Sequence, residues 1–294
     1  MPVLRHRLLL GPVLIAAMIL ISWLDQTLER RGMPPGSALF PVMVLASVMA
    51  SRELSRILKD KGIQASKRVM TTASITGLLV SCIVPETRPA TLAVAAVSSA
   101  AVGALLISLR FYSRHRTVEG AVAAAGGTLL SFVYLGLMFG FVLAIRRHHS
   151  VWLLLWIILT TKSSDIGAFA TGKAIGRHKL ILWLSPGKTW EGLFGGIALS
   201  AIVGAAGLWC LKQFDLVSPE RVPPAWTGAV AGLIFGLTGV IGDLIASLFK
   251  RDAGLKDAGH VLPGFGGVID VLDSALLVAP VAFWWVALVH TPRG

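Results

Sequence analysis

Charge is scarce in this 294-residue chain: Asp, Glu, Lys and Arg make up 14% of it, against 55% apolar residues. A water-soluble domain of ordinary composition carries about 25% charged residues, so the shortage excludes that class, and the mean hydropathy of +0.75 agrees. Cysteine is nearly absent. Cys82 and Cys210 lie in separate apolar runs with no CxxC or His partner nearby, so they read as small packing residues, with no disulfide or zinc site expected. Acidic residues are outnumbered 15 to 27, for a net charge of +12. In a membrane chain that excess belongs to cytoplasmic loops facing anionic headgroups, and nucleic acid is not an expected partner. The same charge would draw a phosphate-rich substrate to that side. Internal repeats, low-complexity linkers and separable soluble domains are also missing. One integral membrane domain, 1–294, is expected.

What is present is a series of long apolar runs. A bilayer core needs about 20 apolar residues per helix, and about nine candidates meet or approach this in an all-α polytopic fold. They run from Leu8 to Leu24, Ser37 to Ser51, Thr71 to Val84, Pro89 to Leu109, Val118 to Ile145, Val151 to Ala170, Gly192 to Leu211, Ala225 to Phe249 and Val268 to His290. Arg5-His6-Arg7 before the first run resembles a signal peptide, but no small-x-small cleavage site follows, so a retained helix is expected. Basic residues orient the set: Arg5 and Arg7, the group from Arg52 to Arg68, and Arg110 to Arg116 fall on alternate loops. Those loops are therefore placed in the cytoplasm, together with Lys173 to Lys188 and Lys250 to Lys256. Arg146, Arg147, His148 and His149 fall on the opposite side and break the rule. Small residues such as Gly195 to Gly207 read as close helix packing.

The segment from Gly242 to Ser274 sets carboxylates, cations and glycines between two apolar runs. At 100° per residue, Asp243, Ser247 and Lys250 fall within about 60° of one another on one helix stripe. Asp270, Asp273 and Ser274 form a second polar face on the ninth run, and Asp165 adds a carboxylate within the sixth. Four such acids facing lipid would cost on the order of 12 kcal/mol, so they must face each other, a cation or water. Oxygen-only ligands favour magnesium, which binds through one or two carboxylates plus substrate phosphates. Asp243, Asp270, Asp273 and Asp165 are the candidate ligands. Lys250, Arg251 and Lys256, beside the glycine-rich turn with Gly264, Gly266 and Gly267, would hold phosphates through charge and close backbone N–H groups. Asp252 reads as a solvated loop carboxylate, with Arg251–Asp252 and Lys256–Asp257 as candidate surface pairs. A second polar island, Ser185-Pro-Gly-Lys188-Thr189-Trp-Glu-Gly192, could hold phosphate at a helix N-terminus. It is not a P-loop, because no GxxxxGK[ST] precedes Lys188.

These residues resemble the signature of the phosphatidate cytidylyltransferases, also called CDP-diacylglycerol synthases. Ser247, Lys250, Arg251, Lys256, Asp257, Gly259, Pro263, Gly264, Gly266, Gly267, Asp270 and Asp273 match it in type and spacing. Upstream, Asp165, Gly167, Ala168, Gly172 and Gly176, then Ser185 to Gly192, resemble two further elements of that family. The resemblance covers about Thr160 to Ser274. Two positions depart: Phe265 stands where the family usually has His, and Val271 where it usually has Arg. The resemblance implies transfer of CMP from CTP to phosphatidate at an active site facing the cytoplasm, in the inner membrane of a bacterium. Asp243, Asp270, Lys250, Arg251, Lys256 and Asp257 would be catalytic, and Ser247, Lys188, Thr189, Ser185, Gly264, Gly266 and Gly267 substrate-binding. It also implies Mg2+, with a second cation such as K+ as a further expectation, and a homodimer.

Two other classes are set aside on sequence grounds. A CDP-alcohol phosphotransferase needs DG-x2-AR and G-x3-D-x3-D, whereas Asp270 and Asp273 are three apart and no DG-x2-AR precedes them. A cation-coupled transporter would use paired acids and broken helices, but no inverted repeat supports it.

Overall fold

A computed structural model describes residues 2–83, 90–113, 118–217, 222–259, 261, 264 and 266–289. Its helices are α1 (Pro2–Arg30), α2 (Leu39–Asp60), α3 (Lys67–Ile83), α4 (Ala90–Tyr112), α5 (Ala121–Leu130), α6 (Met138–His148), α7 (Val151–Ile175), α8 (Trp190–Gln213), α9 (Ala225–Asp252) and α10 (Val268–Val289). A π-helical stretch, Ser131–Leu137, joins α5 to α6 in one rod, so the described residues form nine rods. The architecture is all-α. Among the described residues seven stretches are long and apolar enough to cross a membrane; α2 and α3 are not among them. The short second run stops at Ser51, yet α2 continues through Arg52-Glu53-Leu54-Ser55-Arg56 to Asp60. Apolar length marks the bilayer, whereas good helix formers such as Arg, Glu and Leu carry a helix past it.

By its contacts the chain forms two compact units, Met1–Arg147 with Phe249–Leu272, and His148–Leu248 with Asp273–Gly294. In the first unit α3 meets the π stretch through Gly77 and Gly136, where a Cβ on Gly136 would sit 2.6 Å from the Ser74 carbonyl oxygen. Only glycine permits that approach. Hydroxyls tie the π stretch to α3 and to α2: Ser131 donates to the Met70 carbonyl at 3.0 Å and Ser47 of α2 to that of Leu135 at 3.3 Å.

The basic group that broke the charge rule is resolved here in part. Arg146 belongs to α6 and is 1% exposed, its Nε 2.6 Å from Asp25 Oδ2 and its Nη2 paired with Glu29. Asp25 in turn accepts the N–H groups of Gly36 and Ala38 at 3.1 and 2.8 Å, fixing the start of α2. A buried, paired arginine carries no topological signal, because the charge rule concerns solvated loops.

In the second unit α7, α8 and α9 pack along glycine seams, as small residues must where lipid removes the hydrophobic drive. A Cβ on Gly167 would lie 2.8 Å from the Gly195 carbonyl oxygen, and Gly204 and Gly228 meet backbone to backbone. Trp156, Phe235 and Trp285 form an aromatic cluster with ring centroids 5.3 to 6.1 Å apart. A two-stranded antiparallel hairpin, β1 (Lys179–Ile181) with β2 (Ser185–Thr189), precedes α8. Apolar periodicity gave no sign of it.

Candidate active site

The hairpin explains the Ser185 to Gly192 island. β2 leads directly into α8, and Thr189 is its N-cap, the hydroxyl accepting the Gly192 N–H at 3.1 Å. Glu191, in the first turn, holds His178 through Nδ1 at 2.6 Å, while the Trp190 N–H reaches the His178 carbonyl at 2.9 Å. A carboxylate there also suits the helix dipole. Gly172 of α7 and Gly176, the residue that ends it, leave room for Thr189, since a Cβ on either would press on its hydroxyl. The motif therefore builds a rigid support. What it presents is Lys188, whose Nζ lies 2.7 Å from Asp243 Oδ2 on α9. Ser185 pairs with Ile181 at the start of β2.

Further carboxylates gather in this second unit. Lys162 of α7 places its Nζ 2.7 Å from Ser274 Oγ, 3.3 Å from Asp165 Oδ2 and 3.7 Å from Asp273 Oδ1. Gly242 admits α10, since a Cβ there would lie 2.6 Å from the Asp273 carbonyl oxygen. Asp165, Asp243 and Asp273 thus come with two ammonium groups, and Lys162 is a member that sequence reasoning passed over.

The first unit holds the rest of the long motif. Lys250, at the end of α9, sets its Nζ 2.6 Å from Asp270 Oδ1. Asp270 Oδ2 accepts the N–H groups of Ala258 and Gly267, both at 2.8 Å. As the third residue of α10, Asp270 thereby closes the glycine turn onto the helix N-terminus. Gly266 is at φ +90, and a Cβ there would strike Asp270 Oδ2 at 2.5 Å. Gly264 also has positive φ, at +84. α9 ends in a Schellman motif: the Leu255 N–H reaches the Lys250 carbonyl, the Gly254 N–H that of Arg251, and Gly254 has φ +70.

Arg251 is exposed and donates to the Leu255 carbonyl at 3.0 Å. Lys256 and Asp257 are exposed loop residues, and Ser247 is half-buried on α9. Asp252 is exposed, as expected of a solvated carboxylate, but it is the last residue of α9 and not a loop residue, and its carboxylate pairs with Lys61 at 2.9 Å. Val271 lies half-buried on α10. Phe265 and Pro263 lie outside the described residues.

One residue of the site was missed. Glu53 of α2 is buried and accepts the Val268 N–H at 2.8 Å and the Ile269 N–H at 2.9 Å, capping α10. Its carboxylate fills the space beside Gly259 and Gly267, where a Cβ would come within 2.8 Å and 2.5 Å of it. The signal was available: Glu53 shares the face of Ala50, Leu54 and Ile57 at helical spacing, and all are buried.

Among the described residues no group of three or more His, Cys, Asp or Glu side chains is gathered as a ready metal cage. Each candidate ligand faces an ammonium instead: Asp243 that of Lys188, Asp270 that of Lys250, and Asp165 and Asp273 that of Lys162. The donors are all carboxylate oxygens, the donor type a hard divalent ion takes, and in this structure each is compensated by a lysine.

A profile described as the cytidylyltransferase family matches residues 6–289. The chain belongs to that family. It is 31% identical over 239 residues to a phosphatidate cytidylyltransferase of Staphylococcus aureus, covering 81% of this chain and 87% of that one. A Synechocystis protein of the same name is 41% identical over 128 residues, 43% of this chain and 40% of the relative. An uncharacterized Escherichia coli K12 protein is 40% identical over 134 residues, 46% and 42% of the two chains. The chain therefore spans about two-fifths of the length of these last two relatives. Within the family, the long apolar helices mark this member as an integral membrane protein.

Proposed function

We propose that this family member is a phosphatidate cytidylyltransferase: a phosphatidate oxygen attacks the α-phosphorus of CTP, the bond to the bridging oxygen of the β-phosphate breaks, and CDP-diacylglycerol and pyrophosphate result. The observation that carries this reading is the lysine–carboxylate pairing at or beside the family's motif positions, Lys250 with Asp270 and Lys188 of the hairpin with Asp243 of α9. Lysine ammonium groups suit a triphosphate, and carboxylates suit the cation that accompanies one.

Lys188, Lys250, Lys256 and Arg251 hold phosphates, with Gly264, Gly266 and Gly267 supplying close backbone approach. Asp243 and Asp270 are assigned to Mg2+, with Asp273 and Asp165 as supporting carboxylates. When bound, the ion would neutralise triphosphate charge and lower the cost of charge developing at the reacting phosphorus. The nucleophile needs no strong base, since a phosphate monoester is largely ionised near neutral pH. Nucleotidyl transfer of this kind rests on positioning and charge neutralisation. CTP enters from the cytoplasm, the diacyl chains reach the site from the lipid, and the working form is a homodimer in the bacterial inner membrane.

The test separates this reaction from its nearest alternative. Purified protein is given labelled CTP with phosphatidate, or CDP-diacylglycerol with an alcohol acceptor. Pyrophosphate release in the first mixture supports the proposal; CMP release in the second, with CTP untouched in the first, refutes it.

A further inference from the structure

Lys162 lies outside every motif quoted above, yet it is an ammonium within a candidate membrane span, where an unpaired charge is costly. Its partners come from two helices. Asp165, three residues on along α7, accepts at 3.3 Å; Ser274 and Asp273 of α10 lie at 2.7 and 3.7 Å. Asp273 is buried, at 6% exposure, and the charges of both Asp243 and Asp165 act on it. Asp243 has its own counter-ion in Lys188. Asp165 and Asp273 share Lys162.

Without that ammonium, two like charges would be left beside a third, and a buried carboxylate that loses its partner is strongly destabilised. Carboxylates in that situation move apart, take up a proton, or admit water. We infer that Lys162 is a positioning residue: its tethered ammonium holds Asp165 and Asp273 in place between α7 and α10 for cation and nucleotide binding. This rests on the reading of those acids as cation-binding groups.

A structural lysine and a positioning ammonium respond differently to replacement. Lys162→Ala removes the charge and leaves a slot ending at Asp165, Asp273 and Ser274, so a small primary amine can stand in for the missing head group. CDP-lipid synthesis by Lys162→Ala is expected to fall at least ~10-fold, about 1.4 kcal/mol, and to recover substantially in ethylammonium. Ethanol, of similar size and uncharged, should not restore it, nor should tetramethylammonium, which donates no hydrogen bond. Wild type and Lys162→Arg should not respond to the amine.

Thermal unfolding gives a second readout that needs no activity. Ethylammonium should raise the melting temperature of Lys162→Ala and not that of wild type. Full activity of Lys162→Ala without amine, or a loss that no amine restores together with unfolding indifferent to amine, would overturn the inference. If wild type makes no CDP-lipid, the functional reading fails and the unfolding comparison alone decides the role of Lys162.

Discussion

Lys250 and Asp270 form a nearly dry ion pair, with 2.6 Å between Nζ and Oδ1 and side chains only 10% and 8% exposed. Neither charge is stable there alone, because breaking a buried pair leaves an uncompensated ion. The pair also joins the last turn of α9 to the first turn of α10. The glycine turn between them is held by the other oxygen of Asp270.

Asp243→Asn and Asp270→Asn should each lower turnover at least ~100-fold, the order seen when one preorganised charge-stabilising group is lost. Asp270→Asn keeps an amide oxygen that can accept the Ala258 and Gly267 N–H groups but strands the Lys250 ammonium, so it should also melt below wild type, and turnover of both variants is measured on protein shown to be folded by its unfolding transition. Near-wild-type CDP-lipid synthesis in both would contradict the assignment of these acids.

Chelation offers an independent check. Excess EDTA should abolish synthesis and added magnesium restore it, because carboxylates and phosphates together make a hard oxygen site. Full activity in EDTA would remove the divalent ion from the proposal.

Glu53→Ala strips the acceptor from two backbone donors at the start of α10. Each buried, unsatisfied donor costs about 1–3 kcal/mol, so the variant should melt well below wild type in detergent. Glu53→Gln keeps one acceptor oxygen and should lose less. An unchanged melting temperature for Glu53→Ala would show that the cap contributes nothing to stability.

Arg146→Met leaves Asp25 buried without its cation, a change expected to cost about 3–5 kcal/mol. Adding Asp25→Asn to that variant removes the stranded charge and should recover part of the loss. Denaturant unfolding of the two variants measures this; a single variant as stable as wild type would contradict it.

The contrast between Asp243 and Glu53 shows what a sequence reading can reach. Asp243, Ser247 and Lys250 stand four and three residues apart, so helical period alone puts them on one stripe of α9. Glu53 meets its partners 215 and 216 residues away, and no local pattern encodes such a distance. The same holds for Arg146 with Asp25, 121 residues apart, which a loop-charge rule misread as an exposed cation. Lys162 was overlooked because its neighbour Asp165 carried the motif. Thr189 and Glu191 appeared as phosphate-island residues, whereas the structure gives them a cap and a clasp on His178, roles that depend on a hairpin too short for a periodic signal.

Product formation is the measurement that decides whether these helices carry nucleotidyl transfer. Purified protein in detergent is incubated with labelled CTP, phosphatidate and magnesium, and lipid-bound label and pyrophosphate are quantified together. Equal amounts of CDP-lipid and pyrophosphate are expected, with neither formed when phosphatidate is omitted. Intact CTP after incubation with protein shown to be folded by its unfolding transition would contradict the proposed reaction.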